Sequence, residues 1–261
     1  MPAAGLVQVA TYRRRVAAST ERVWENVRDW EHLPFLHAAS FRSIALETQS
    51  EGGWRARVGL HPASEIDLEL AIEPRAPRYV SRTLAGPGAG SEIWTAVTRV
   101  ASDATEIAVE FWLPAVAPDR VGALGAAYTQ LYRRLWDEDE TMMVRRAREL
   151  AVVDASTPSD RVRLGRADQL REQAPHCFAW AGRRWRLVDV DGALHVHAAQ
   201  CPHWLGPLDA APIEAGAVTC PWHGWRFDVR SGAALDGRRG RLPPPPAIEI
   251  DAAGDVWATR P

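Results

Sequence analysis

The stretch that decides the fold of the C-terminal part runs from Cys201 to Phe227 and reads CPHWLGPLDAAPIEAGAVTCPWHGWRF. It spells C-x-H-x16-C-x2-H through Cys201, His203, Cys220 and His223. Two Cys and two His at close spacing can bind zinc, but a zinc finger places its Cys first and its His on a following helix. Here each Cys travels with its own His, and turn residues surround both pairs. That arrangement suits a two-iron, two-sulfide cluster in which two thiolates hold one iron and two imidazoles the other.

The context CPH…GPL and CPWHGWRFD…SG resembles the Rieske family, in which Gly206 and Gly224 would let backbone N–H groups approach the sulfides. Respiratory members carry one more cysteine in each loop, joined as a disulfide, and a hydroxyl donor near the sulfur atoms. In this chain those positions are Gly206 and Trp222, and Trp225 follows the second HG. The departures resemble the ferredoxin and oxygenase branch. They imply few hydrogen bonds to sulfur and a midpoint potential toward the low end of the Rieske span, on the order of −150 mV. The third cysteine, Cys177 in HCFAWAG, is expected to be a small buried apolar residue.

Outward from the motif, residues 161–261 hold many short strand-like runs, many glycines and a PPPP run at 243–246, as expected of a small all-β domain. DASTPSD, 154–160, is polar and turn-rich and reads as a linker. Before it the pattern is different. A strand over 7–17 precedes a helix over 19–33, capped by Ser19 or Thr20 and stopped by Pro34. About six strands rich in β-branched and aromatic residues follow. Val121, Leu124, Tyr128, Leu131, Leu135 and Met142 then recur at helical spacing, predicting one long helix from Pro118 to Val152. This order resembles the α+β helix-grip (START-like, SRPBCC) superfamily, whose members enclose an apolar ligand cavity. The expected organisation is a helix-grip candidate catalytic domain over 1–153, the linker, and a Rieske domain over 161–261.

Residues 24–37, WENVRDWEHLPFLH, carry D-x2-H-x4-H through Asp29, His32 and His37. By residue type alone, the two His could flank a helix stop, and the acidic run DEDE at 137–140 could be a solvated face. Together with a Rieske motif on the same chain, the pattern resembles the mononuclear-iron site of the Rieske non-haem iron oxygenases, with the domain order reversed. The resemblance implies His32 and His37 as Fe(II) ligands. It makes Asp29 the residue that bonds a ligand His and bridges toward a cluster histidine. It places a carboxylate from the closing helix third, and puts Asn26 near the iron. On a regular helix Asp139 lies about 40° from the apolar stripe and Glu138 about 60° on the other side, while Asp137 and Glu140 point away. Asp139 is the first choice and Glu138 the second. Trp54, Trp94, Phe111 and Trp112 are expected to line the cavity.

The implied activity is hydroxylation or dealkylation of a small apolar or aromatic molecule with O2. Electrons would come from an external NAD(P)H-dependent reductase or a ferredoxin, in a homo-oligomer that the resemblance suggests is a trimer. GPGAGS at 86–91 opens no helix, so it is no dinucleotide fingerprint. The alternatives are a Rieske electron carrier fused to a ligand-binding domain without catalytic iron, and a sensor whose cluster is structural. Net charge is −2, with no lysine, and no segment reads as a signal peptide or a spanning helix. Nucleic-acid and membrane partners are therefore not expected, and the expected location is the cytoplasm.

Overall fold

The computed structural model describes residues 2–151 and 161–260. The linker expected at 154–160, and Val152 at the end of the long helix, lie outside the described residues. The chain divides into two compact units, Met1–Ala147 and Arg148–Pro261.

In the first unit, strand β1 (Leu6–Val16) leads to helix α1 (Thr20–Arg28) and the short helix α2 (Leu33–Leu36). Six strands follow: β2 (Phe41–Ser50), β3 (Gly53–Leu60), β4 (Ser64–Ile72), β5 (Arg78–Ala85), β6 (Glu92–Ala101) and β7 (Ala104–Pro114). Helix α3 (Val121–Ala151) closes the unit. The sheet is antiparallel in the order β1-β7-β6-β5-β4-β3-β2, so the first strand pairs with the last, from Leu6↔Pro114 to Val16↔Thr105. β7 shows why one face is buried. Ile107, Val109 and Phe111 alternate inward and are fully buried, while Glu106 and Glu110 alternate outward. Each such apolar side chain stabilises the fold by about 1.5–3 kcal/mol. Trp136, Met142 and Met143 of α3 are buried. Gly125 marks the point where α3 meets β1, because a Cβ there would lie 2.4 Å from the Val9 carbonyl oxygen.

Helix α1 begins where the cap predicts, with Ser19 Oγ accepting from the Arg22 N–H at 3.4 Å. It ends at Arg28, not at Leu33, because Asp29 is extended (φ −85°, ψ 94°). Pro34 does not stop α1. It sits in the first turn of α2, where its missing N–H leaves no intrahelical bond unmade. This break turns His32 out of the register that a continuous helix would impose.

The second unit holds three small sheets, β11-β10-β9, β12-β13-β14 and β15-β16-β8. The strands are β8 (Arg161–Arg166), β9 (His176–Trp180), β10 (Arg183–Val190), β11 (Ala193–Ala198), β12 (Ile213–Glu214), β13 (Ala217–Thr219), β14 (Arg226–Asp228), β15 (Ala247–Ile250) and β16 (Asp255–Thr259). β8 leads directly into helix α4 (Ala167–Glu172), whose Ala167 and Leu170 pack with Trp185, Leu187 and Val256. Cys177 is exposed, contrary to expectation, because the alternation along β9 sends it outward with Ala179. Among the described residues no helix is long and apolar enough to cross a membrane.

Candidate metal centres

His32 precedes α2 as its N-cap and His37 follows it as its C-cap, so one short helical turn carries both rings. The buried Leu33 anchors that turn. The ring centroids stand 5.1 Å apart at 71°. From α3, Asp139 meets both rings: its Oδ1 lies 3.5 Å from His32 Nε2 and 3.1 Å from His37 Nε2. One ligand atom from each of the three lies within 4.8 Å of the others, and all three residues are buried.

The outer ring nitrogens also face carboxylates. Asp29 Oδ2 is 3.4 Å from His32 Nδ1, and Glu138 Oε2 is 2.6 Å from His37 Nδ1. A carboxylate at Nδ1 holds the proton there and leaves the Nε2 lone pair for a metal. Glu138, weighed above as an alternative ligand, is thus turned to the far nitrogen of His37, while its neighbour Asp139 faces the near one. Asp137 and Glu140 both pair with Arg14 of β1, away from the histidines.

These residues fit an ion. Two donors each about 2.1 Å from a metal stand about 3.0 Å apart at a right angle and about 3.4 Å apart at a tetrahedral one, close to the two spacings between Asp139 and the histidines. Asp139 Oδ1, the atom that faces both Nε2 atoms, is buried without an aligned hydrogen bond, a costly state for a polar atom that lacks a further partner. Burial disfavours a charged His37, but the Asp139 and Glu138 carboxylates outweigh it and hold the pKa above the ordinary imidazole value.

The triad sits at one end of a cavity of about 260 Å³, compact beside the roughly 300–1,000 Å³ of ordinary ligand pockets. Its apolar wall includes Trp54, Leu68, Leu70, Ile93, Leu131 and Leu135, and Asn26 and Asp29 also line it. Of the four aromatic residues expected there, only Trp54 lines it. Trp94 and Trp112 occupy the opposite strand parity, with Trp94 under the Arg78 guanidinium at 4.8 Å. Phe111 faces inward but is packed against Tyr128 and Tyr132.

In the second unit, Cys201 and His203 lie in the loop between β11 and β12, and Cys220 and His223 in the loop between β13 and β14. The two loops are built alike. The Leu205 and Gly224 N–H groups donate to the Cys201 and Cys220 carbonyls, both at 2.9 Å. The Cys201 and Cys220 N–H groups donate to the Gly206 and Trp225 carbonyls at 2.9 and 2.8 Å. Leu205 and Gly224 both have positive φ, 61° and 67°. The His203 and His223 ring centroids are 4.6 Å apart. His223 is fully buried, while His203 is half-buried with Trp225 stacked on it at 4.6 Å.

Both thiols are buried. The Cys201 S–H pushes Cys220 down to about 5, against burial and with help from His223, and Cys201 is pushed up in return. Backbone N–H groups of His203 and Trp204 reach the Cys201 sulfur, and those of Trp222 and His223 reach Cys220. Gly206 is a cradle: a Cβ there would fall 2.6 Å from Cys220 Sγ and 3.2 Å from the Trp222 ring. Two buried thiols, two adjacent imidazoles and converging backbone donors fit a [2Fe–2S] cluster. Backbone N–H donors raise the midpoint, so the expectation of about −150 mV rests on positions 206 and 222, where Gly and Trp supply no hydroxyl donor. A redox titration giving a strongly positive value would contradict it.

Comparison with known proteins places the second unit. An iron–sulfur class is defined by the paired loops, and residues 160–244 match the Rieske [2Fe-2S] domain family model. The C-terminal unit therefore contains a Rieske domain, and it follows an N-terminal unit built of a seven-stranded antiparallel sheet and a long closing helix. Apoptosis-inducing factor 3 of Mus musculus is 38% identical over 50 residues, 19% of this chain and 8% of that protein. The 4beta-methylsterol monooxygenase of Methylococcus capsulatus is 42% identical over 40 residues, 15% of this chain and 11% of that protein. The chain thus spans only about a tenth of the curated relatives it matches. Among solved structures, a START superfamily protein from Mycobacterium smegmatis has a TM-score of 0.44 at 15% identity, covering 52% of this chain and 96% of its own. The ferredoxin of carbazole 1,9a-dioxygenase from Nocardioides aromaticivorans has a TM-score of 0.34 at 26% identity, covering 40% and 100%.

Proposed function

We propose that this chain is a Rieske-type oxygenase that hydroxylates or dealkylates a small, largely apolar molecule with O2. The single observation that carries the reading is the convergence of His32, His37 and Asp139 on one buried point beside an apolar cavity. Two His and one carboxylate on one face, with the remaining positions open, is the ligand set of non-haem Fe(II) oxygenases. When bound, the cluster held by Cys201, His203, Cys220 and His223 would supply single electrons, and the ferrous ion would supply dioxygen activation.

The chain's own residues do the rest. His37 presents Nε2, because Glu138 holds its Nδ1 proton, and Asp29 faces the Nδ1 side of His32 at 3.4 Å. The apolar wall keeps bulk water from the reacting groups. His203, the more exposed of the two cluster histidines, is the exit for electrons. Those electrons come from outside, through an NAD(P)H-dependent reductase or a ferredoxin.

Anaerobically purified full-length protein is expected to contain about three irons per two acid-labile sulfides, and to give a high-spin Fe–NO signal by EPR. Two irons per two sulfides and no such signal would leave a Rieske carrier beside a ligand-binding domain. Asp29→Asn tests the bridging role. The substitution keeps the shape of the side chain, so both metals stay, while loss of the charge slows reoxidation of the reduced cluster by about 10–100-fold. Parental turnover in this variant would remove Asp29 from the electron path.

A further inference from the structure

The cavity beside the three candidate ligands is not uniformly apolar, and its polar groups are ordered. Along β5, Tyr79, Ser81 and Thr83 alternate into it, each step covering about 7 Å of strand. Tyr79 stands at the Asp139 end, within electrostatic reach of that carboxylate. Thr83 stands about 14 Å further along the strand, where its hydroxyl accepts from Ser91 Oγ at 3.1 Å. One hydroxyl of that pair donates and the other keeps its proton for the cavity, which both residues line.

Apolar residues flank the middle of the stripe, and Ser91 joins it beside Thr83. On β4, Leu70 pairs with Ser81 and Leu68 with Thr83; on β6, Ile93 pairs with Ser81. From α3, Tyr128 and Tyr132 face the same space. Burial raises the pKa of Tyr79, Tyr128 and Tyr132, so all are neutral phenols at ordinary pH. Asn26 also lines the cavity, with its side-chain oxygen buried and lacking a partner.

Hydroxyls along one edge of an otherwise apolar pocket are expensive to cover with hydrocarbon, because each loses water and its remaining hydrogen-bonding capacity goes unmet. No arginine lines the cavity among the described residues, and its acidic groups, Asp29 and Asp139, sit at the histidine end. Away from the histidine end, an anionic ligand would therefore find no counter-charge.

We propose that the cavity takes a neutral, mainly apolar molecule that carries hydroxyl or carbonyl oxygens along one edge, read by the β5 stripe of Tyr79, Ser81 and Thr83. Only in calling that molecule the substrate does the inference rest on the oxygenase reading. A site built to bond oxygen rejects the analogue that lacks it far more strongly than a greasy pocket rejects an extra hydroxyl.

The test compares naphthalene with 2,7-dihydroxynaphthalene, whose oxygens stand about 7 Å apart, the spacing of alternate strand residues. Binding to the full-length protein is read by tryptophan fluorescence and calorimetry. The diol is expected to bind at least tenfold tighter, although hydrophobicity alone favours naphthalene. Ser81→Ala and Thr83→Val, checked for unchanged melting, should each cut that ratio at least threefold without weakening naphthalene. Equal or tighter binding of naphthalene, a ratio unmoved by both variants, or no binding of either compound would overturn the inference. The same ratio in His37→Ala would show that the diol is read by the strand and not by a bound ion. The outcome therefore stands apart from the iron and sulfide assay of the oxygenase reading.

Discussion

Asp139→Asn is expected to abolish turnover and to leave the protein with two irons per two sulfides, with no Fe–NO signal. The substitution keeps the shape of the side chain and removes its charge. A dication at this site would then sit between two neutral imidazoles in a buried pocket, with the negative charge nearest to it gone. Desolvating an ion without a counter-charge costs several kcal/mol. At about 1.4 kcal/mol per tenfold, affinity for Fe(II) should fall by at least a thousandfold. The Rieske absorbance should be unchanged, because Cys201 and Cys220 lie in the other compact unit. Normal iron content in this variant would remove Asp139 from the ligand set, whatever the activity.

The same carboxylate sets how the site responds to pH. His37 is buried, which lowers its pKa, but Asp139 and then Glu138 raise it, and the net direction is up. In iron-free protein the charged ring is therefore favoured by folding. That stability is fully present below the ordinary imidazole pKa of about 6.5 and is lost as pH rises through the higher folded value. Metal binding has the opposite sign, since the ligand must be deprotonated. Below the folded pKa, Fe(II) affinity should fall by about tenfold per pH unit for the one proton displaced. Equilibrium titration with Fe(II) under anaerobic conditions, between pH 5.5 and 8.5, reads that slope. In Asp139→Asn the largest support for charged His37 is gone, so the iron-free melting temperature should depend less on pH.

How much of this was legible in the chain depends on which physical signal each feature leaves. The β7 pattern of Ile107, Val109 and Phe111 against Glu106 and Glu110 is a period-two signal, and the strand forms as expected. The long helix is equally plain, because its apolar stripe recurs over many turns. The boundary of α1 was not legible. Pro34 reads as a stop, yet it serves as the first turn of α2, and only the extended Asp29 backbone separates the two helices. That detail decides where His32 faces. Helical angle placed Asp139 and Glu138 on either side of the stripe, but one residue of rotation is not enough to tell which nitrogen of His37 each would meet. The aromatic expectation failed for a different reason. Trp94 and Trp112 are large and apolar, but strand parity puts them on the other face, where Arg78 covers Trp94. The hydroxyl stripe on β5 was missed because RYVSRTLA looks like any half-buried strand until its inward face is known.

Gly206→Ala is expected to cost the whole Rieske cluster: loss of its visible absorbance and of acid-labile sulfide, as His203→Ala would through loss of a ligand. The reason is space. The φ of Gly206 is not in the left-handed region, so alanine could adopt the backbone without strain. Its Cβ, however, would sit 2.6 Å from Cys220 Sγ and 3.2 Å from the Trp222 ring. Both neighbours are buried, and the sulfur is held by backbone N–H groups of Trp222 and His223, so neither can move aside cheaply. The displaced atom would be the thiolate that must bind iron. The adjacent position provides the control with the opposite sign. Leu205 adopts φ 61° at the place where the second loop has Gly224 at 67°, a conformation that costs a residue with a Cβ about 1–2 kcal/mol. Leu205→Gly removes that strain in the same loop, so it should retain the cluster and unfold at the parental temperature or above. Cluster retention in Gly206→Ala, or loss in Leu205→Gly, would mean that the two loops close around something other than the sulfur atoms of Cys201 and Cys220.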